Sequence, residues 1–325
     1  MAVQDGSDPI HNGQLAVSST APALPERSTM PEGPRQTYFW TWKGRQVAIA
    51  YETFGNGPSC LLLPAFSTVS TREEMRPLAA RLAQRLTVTL IDWPGFGESS
   101  RQPLAYEPAL IHAFLGDFIP SMYPRPPAVV AAGHAAGYAL AMARAHQGGW
   151  SRIALVAPTW RGPLPTAMMR PPSHWAWVRR LVRTPLIGEM FYRLNTAGPV
   201  IALMYRRHVY ANPERVTRDL VQAKQAVARQ RHARYASVAF VTGALDPVSS
   251  RDAFHNLIVP PPAPLLIVYG TETPPRSRAE MEALRGLDRI DVRVIPGSLG
   301  VHEEQPDAVF QAIAPFLTPD GHKEP

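Results

Sequence analysis

The sequence predicts an α/β fold, with a mainly parallel sheet covered by helices on both faces and one helical insertion. Three observations carry that expectation. Short apolar runs of strand character alternate with stretches of helical periodicity, the order that generates parallel neighbours and helical crossovers. Residues 161–262 interrupt the alternation with helical, arginine-rich segments. A chain of 325 residues with 45% hydrophobic content can bury one sizeable core, so one domain with an inserted subdomain is more economical than two equal domains.

Taken in order, residues 1–37 carry Ser, Pro, Gly and scattered charge, as in Met30-Pro-Glu-Gly-Pro34, and read as a disordered lead. They lack a charged start followed by an apolar core, so no secretory signal is expected, and Asp5, Asp8, Glu26 and Glu32 are out of place in an organelle transit peptide. The first part of the core, 38–160, opens with Tyr38–Trp42 and Gln46–Glu52, a hairpin turning at Lys43-Gly44. Cys60–Leu63 is a short buried strand. Arg72–Arg85 has apolar residues at Met75, Leu78, Ala79 and Leu82, the spacing of an amphipathic helix. Thr87–Asp92, Ala128–Ala132 and Arg152–Ala157 read as strands, with helices at Tyr106–Ile119 and Tyr138–His146 between them. After the insertion, the last part of the core, 263–317, supplies strands at Pro264–Tyr269 and Asp291–Ile295 and a closing helix at Gln305–Leu317. Residues 318–325 read as a frayed tail.

The most informative stretch is Val129-Val-Ala-Ala-Gly-His-Ala-Ala-Gly-Tyr138. It has the outline of a Gly-x-Ser-x-Gly elbow, in which flanking glycines permit a strained strand-to-helix turn that presents a nucleophile above the sheet. Gly133 and Gly137 are present, but Ala135 holds the serine's place, and a methyl group cannot attack a carbonyl.

Three further signatures occur at matching intervals: Leu61-Leu-Leu-Pro-Ala-Phe66, Asp92-Trp-Pro-Gly-Phe-Gly-Glu-Ser-Ser100, and Ile295-Pro-Gly-Ser298 followed by His302-Glu-Glu-Gln-Pro306. With these the chain resembles the α/β-hydrolase superfamily from about Trp40 to Leu317, in the capped branch that holds esterases, haloperoxidase-like proteins and epoxide or haloalkane hydrolases. The resemblance implies an α/β-hydrolase fold with 161–262 as a helical cap. It also implies a triad whose acid would lie at Thr273, in Gly270-Thr-Glu-Thr273, where a threonine cannot hold an imidazolium. The triad histidine's place falls on Leu299 or Gly300, and His302 matches the second histidine that opens the final helix. An oxyanion hole would use the amide of Ala136 and one near Ala65 or Phe66, although Pro64-Ala65 replaces the usual His-Gly. The remaining proton-transfer candidates are His302, Glu272 and His134. Each also has a structural explanation: a helix start for His302, a solvated loop for Glu272, and packing beneath a neighbouring loop for His134. Ser67, Thr68 and Ser70 either line the pocket or bond their own turn.

The net charge of +7 is concentrated in the insertion. Between Arg161 and Arg234 there are 14 Lys and Arg against three acidic residues, a net +11. Segments His174–Arg183 and Val200–His208 mix aromatics, aliphatics and arginines, which suits either a lipid headgroup layer or a lid whose apolar side closes a pocket. Asp219–His232 reads as a basic amphipathic helix. Nucleic acid is disfavoured as a partner, since no helix-turn-helix spacing, zinc ligand set or RNA-binding aromatic signature accompanies it. Asp246 reads as a turn residue and helix cap. The single cysteine, Cys60, permits no internal disulfide or thiolate metal site and reads as packing, and neither a metal nor another cofactor is expected. No run of about 18 apolar residues occurs, so the expected location is cytoplasmic, with peripheral membrane contact through the basic cap as an added expectation.

Three functions remain open on this reading. One is a triad-degenerate protein binding an apolar or amphiphilic small molecule under its cap. Another is a hydrolase or lyase of serine-independent mechanism using His302, Glu272 or His134. The last is a protein-interaction scaffold.

Overall fold

A computed structural model describes residues 33–146, 148–287 and 289–318, so most of the expected lead and tail lies outside the described residues. Eight strands form one sheet in the order β1-β2-β4-β3-β5-β6-β7-β8: β1 (Arg35–Trp42), β2 (Arg45–Phe54), β3 (Ser59–Leu63), β4 (Thr87–Ile91), β5 (Ala128–Ala132), β6 (Ile153–Val156), β7 (Leu265–Gly270) and β8 (Asp291–Ile295). Only β2 runs antiparallel to its neighbours. The hairpin starts earlier than expected. Arg35 already pairs with Glu52 and Thr37 with Ala50, so the lead ends before residue 35 rather than at 37, because β2 is long enough to template three more polar residues on the edge strand.

Strands β3 to β7 are almost wholly buried, as parallel strands covered on both faces must be. Their registers are tight: Leu62 faces Leu90 on one side and Val130 on the other. Cys60 sits in this layer, and burial pushes its thiol up to about 12, which fits a packing residue. The covering helices are α1 (Arg76–Leu82), α2 (Pro108–Met122) and α3 (Ala135–Ala145). The expected helix at Arg72–Arg85 is split. Its first turn, Arg72–Met75, is a 3-10 helix capped by Thr71, whose hydroxyl accepts the Glu73 amide at 3.2 Å, and Pro77 then opens α1.

That split positions a buried ion network. Arg72 donates to Glu52 at 2.8 Å, to Glu98 at 2.8 Å and to Asp92, while Arg76 donates to Glu52 at 2.8 Å. Burial pushes the Asp92 carboxyl above its ordinary value despite the adjacent Arg72 guanidinium. The network ties the segment after β3 to the Asp92–Ser100 segment after β4, and so fixes the floor around the strand ends. Removing one partner would strand a buried charge.

Between β6 and β7 the insertion folds as α4 (Pro163–Met168), α5 (Ala176–Arg183), α6 (Ile187–Asn195), α7 (Gly198–Met204), α8 (Arg218–Ala228), α9 (Ala233–Val241) and α10 (Arg251–Ile258). After β7 come α11 (Pro275–Glu282), α12 (Val301–Glu304) and α13 (Pro306–Leu317), and α13 packs against α1 and β7. No described helix is long and apolar enough to cross a membrane.

Candidate functional site

Strand β5 ends at Ala132, and the residue forced into the left-handed region is Gly133, with φ +52°. His134 has φ −64°, and Ala135 is already the first residue of α3. The strained apex therefore lies two residues before Ala135, which is a correction to the expected elbow geometry. Ala135 is helical and fully buried. Gly133 is buried too, and a Cβ built on it would lie 3.0 Å from the Ala65 Cβ and 3.8 Å from the Thr159 hydroxyl. Gly137 serves close packing: a Cβ there would meet Pro247 at 2.3 Å.

The expected oxyanion donors are differently occupied. The Ala136 amide donates to the Gly133 carbonyl at 3.2 Å, so it closes the turn instead of facing a substrate. Ala65 is half-buried, and its carbonyl accepts the Ser70 hydroxyl. Phe66 is buried and stacks on Trp93, with ring centroids 4.6 Å apart, and meets Phe96 and Tyr138 edgewise or tilted. The Ser67 hydroxyl accepts the Val69 amide at 3.2 Å, which makes it a turn residue.

His134 has both ring nitrogens engaged. Nδ1 lies 3.1 Å from the Thr159 hydroxyl and Nε2 lies 2.9 Å from an Asp246 carboxylate oxygen that also accepts the Gly162 amide at 2.8 Å. Its ring meets Phe240 of α9 edge-on at 5.2 Å. Asp246 is thus not the cap of α10, a role taken by Ser250, whose hydroxyl accepts the Ala253 amide at 3.1 Å. It joins the end of the insertion to the elbow.

The residues expected at the acid and histidine positions hold local structure. Thr273 is buried and donates to the Gly270 carbonyl at 2.8 Å, capping its own strand. Glu272 is exposed and clamps the ends of β7 and β8: its carboxylate accepts the Gly297 amide at 2.6 Å, and its amide donates to the Gly297 carbonyl at 2.8 Å. Leu299 is an apolar side chain packed against the core.

His302 lies elsewhere, in a buried polar cluster between α12 and the insertion. Its Nε2 is 3.6 Å from a Glu74 oxygen, and both its Nδ1 and that Glu74 oxygen lack hydrogen-bond partners. Beside it, Lys224 of α8 pairs with Glu303 at 2.7 Å beneath the Tyr205 ring. Burial opposes the ammonium, but Glu303 and the neighbouring Tyr205 and Glu74 outweigh it and hold Lys224 well above its ordinary value. Burial holds the Tyr205 and Tyr210 phenols above theirs. The same interface is stitched by backbone. Gly300 donates to the Val209 carbonyl at 2.7 Å, and Glu304 accepts the Ala211 and Asn212 amides at 2.8 and 2.7 Å. Sequence spacing had offered none of these partners for His302.

Two adjoining open concavities lie on the insertion. One, of about 350 Å³, is lined by Arg193, Arg229, Arg231, Arg234, His232 and Glu189. The other, of about 640 Å³, is lined by Pro185, Leu186, Met190 and Leu194 and shares Glu189, Arg193 and Arg234 with the first.

Comparison with known proteins agrees with this architecture. Among solved structures, Cfl2 from Burkholderia cenocepacia is 20% identical with a TM-score of 0.66, covering 88% of this chain and 96% of its own. A thermophilic esterase from Thermogutta terrifontis is 19% identical with a TM-score of 0.63, covering 87% and 97%. A mutant haloalkane dehalogenase DatA from Agrobacterium tumefaciens C58 is 16% identical with a TM-score of 0.64, covering 87% and 96%. At such identities the likeness speaks for the fold alone. No curated protein sequence matches the chain. Residues 60–312 match the profile described as "Alpha/beta hydrolase family", and with the strand order, elbow and insertion in place, this chain belongs to the α/β-hydrolase family.

Proposed function

We propose that this α/β-hydrolase-fold protein performs no covalent hydrolysis and works by binding an apolar or amphiphilic small molecule at its cap. The observation that carries the reading is the apex residue of the elbow. Gly133 has no side chain, and the nearby candidates are consumed: Ala135 is a buried methyl, His134 is held by Thr159 and Asp246, and Thr273 and Leu299 occupy the acid and histidine positions. An acyl- or alkyl-enzyme needs a nucleophile at the apex of the elbow, and Gly133 offers none; the hydroxyl beside the turn, that of Thr159, stands off the apex, 3.1 Å from His134 Nδ1. Two concavities lie on the cap, one of them walled by Pro185, Leu186, Met190 and Leu194, and they favour the cap as the binding element.

The test pairs chemistry with binding. Short- and long-chain nitrophenyl esters should give no burst and no turnover above background, a fluorophosphonate probe should leave the protein unlabelled, and an environment-sensitive fluorescent fatty acid should bind saturably. Stoichiometric labelling, or a burst equal to the protein concentration, would overturn the reading. A second reading, acid–base chemistry without a covalent intermediate, is favoured by the unpartnered Nδ1 of His302 and oxygen of Glu74. It requires that any turnover found in the ester panel vanish in His302→Ala.

A further inference from the structure

Of the 14 exposed large hydrophobic residues among those described, 11 fall between Met168 and Met204. They are not scattered. On α6, Ile187, Met190, Phe191 and Leu194 recur at the spacing of one helical face, and every one of them is exposed, whereas Gly188 and Tyr192 on the opposite side are buried. Leu186, just before the helix, is 85% exposed. Helix α7 repeats the pattern with Val200, Leu203 and Met204, and the exposed Arg206 and Arg207 follow. A helix normally turns such a stripe inward, so two neighbouring elements presenting theirs outward mark an interaction surface, unlike single exposed apolar residues, which are ordinary.

The charge beside this stripe is organised as well. The apolar groove of Pro185, Leu186, Met190 and Leu194 runs into the concavity bounded by Arg193, Arg229, Arg231 and Arg234. Glu189 holds Arg193 at 2.8 Å and Arg234 at 2.5 Å, so one carboxylate braces two of the four guanidinium groups and leaves the concavity strongly cationic. The Nε of Arg234 is buried there without a hydrogen-bond partner.

We propose that this outer cap face docks on an anionic lipid bilayer, with a headgroup phosphate received by the arginine concavity and the α6 stripe entering the upper acyl region. Apolar side chains next to guanidinium groups match the layering of an interface, where phosphate lies above hydrocarbon. A second copy of this chain fits less well, since both faces would carry the same excess of positive charge. The inference rests on the binding reading in placing the amphiphile at the cap, and it is independent of what happens at Gly133.

The test is co-sedimentation of the full chain with vesicles of phosphatidylcholine alone and with about 30 mol% phosphatidylglycerol, at low and high salt. The wild type is expected to partition onto the anionic vesicles only, and to release as salt screens the contact. Reversing Arg229 and Arg231, both exposed, with R229E/R231E should lower partitioning at least about tenfold. I187D/L194D should lower it similarly, while F39D, which alters an exposed apolar residue on β1, should leave it unchanged. Far-UV circular dichroism and the thermal midpoint verify that each variant is folded. Equal binding to neutral vesicles, no binding by the wild type, or full binding by I187D/L194D would overturn the proposal. So would a wild-type dimer that I187D/L194D dissociates, since a second copy would then own the face. Soluble glycerol phosphate and a monomeric fatty acid form separate arms. Binding of these without vesicle binding refutes docking and leaves the binding function standing, whereas fluorophosphonate labelling sinks the non-hydrolytic reading and leaves docking untouched.

Discussion

Two substitutions in the elbow test which residue bears its strain, and they do so by sign. Gly133 has φ +52°, where an L-residue pays about 1–2 kcal/mol, and its added methyl would sit 3.0 Å from the Ala65 Cβ. Against this, alanine restricts the unfolded chain and returns about 0.4–1 kcal/mol. Gly133→Ala is therefore expected to destabilise by about 1–2 kcal/mol once the tight contact is included. Ala135, in contrast, is helical and fully buried. Ala135→Gly there loses about 1 kcal/mol of helix propensity and about 0.8 kcal/mol of buried methyl, so it too should destabilise, by nearly 2 kcal/mol. If Ala135 instead held the strained, positive-φ position of a nucleophile, glycine would relieve it and the sign would reverse. Urea unfolding, followed by tryptophan fluorescence, reads both values from the midpoint at constant slope. A rise in midpoint for Ala135→Gly, or no change for Gly133→Ala, would refute the placement of the apex at Gly133.

Two further outcomes follow from the buried polar contacts. Lys224→Met should cost about 3 kcal/mol, because Glu303, 14% exposed, is left without its partner, and K224M/E303L should recover most of that loss in the same unfolding assay. Since Lys224 is held well above its ordinary 10.5, its contribution is complete below that pH and is lost as pH rises through the folded value, so wild type should lose stability at alkaline pH by a step that Lys224→Met lacks. Asp246→Ala removes the acceptor shared by His134 and the Gly162 amide, two buried donors worth about 1–3 kcal/mol each, and should lower the thermal midpoint without altering any ester turnover. Parallel loss of turnover and retention of stability would instead make His134 and Asp246 a working pair.

The strands and their mainly parallel order were legible because burial on both faces writes itself as continuous apolar runs such as Cys60–Leu63 and Leu265–Val268. The elbow was legible as a motif but not in register. Once the nucleophile's place is alanine, the strongest helix former, nothing obliges residue 135 to hold a strained conformation. Helix α3 then starts early, and the turn falls on Gly133, which adopts positive φ at little cost. The side-chain partnerships were not legible at all. His134 meets Asp246 112 positions away, and His302 meets Glu74 from the far end of the chain, so local pattern carries no trace of either pair. Likewise the arginine excess was countable, but the exposure of its apolar neighbours on α6 was not.

The outward face of α6 and the state of the elbow belong to one physical picture. A lid over a working active site must part from the core to admit substrate. Here the insertion is fastened to the core at several independent points: the Asp246 carboxylate at the elbow, the Val209 carbonyl on Gly300, the Glu304 carboxylate on two successive amides, and the Lys224–Glu303 pair. Opening it would break a hydrogen bond or an ion pair at each of these points. A helical layer held that firmly makes a poor door but a stable platform, and the side it presents to solvent is where the apolar stripe and the arginines have collected. Loosening the insertion, as Lys224→Met does, should weaken vesicle binding along with stability and should awaken no esterase.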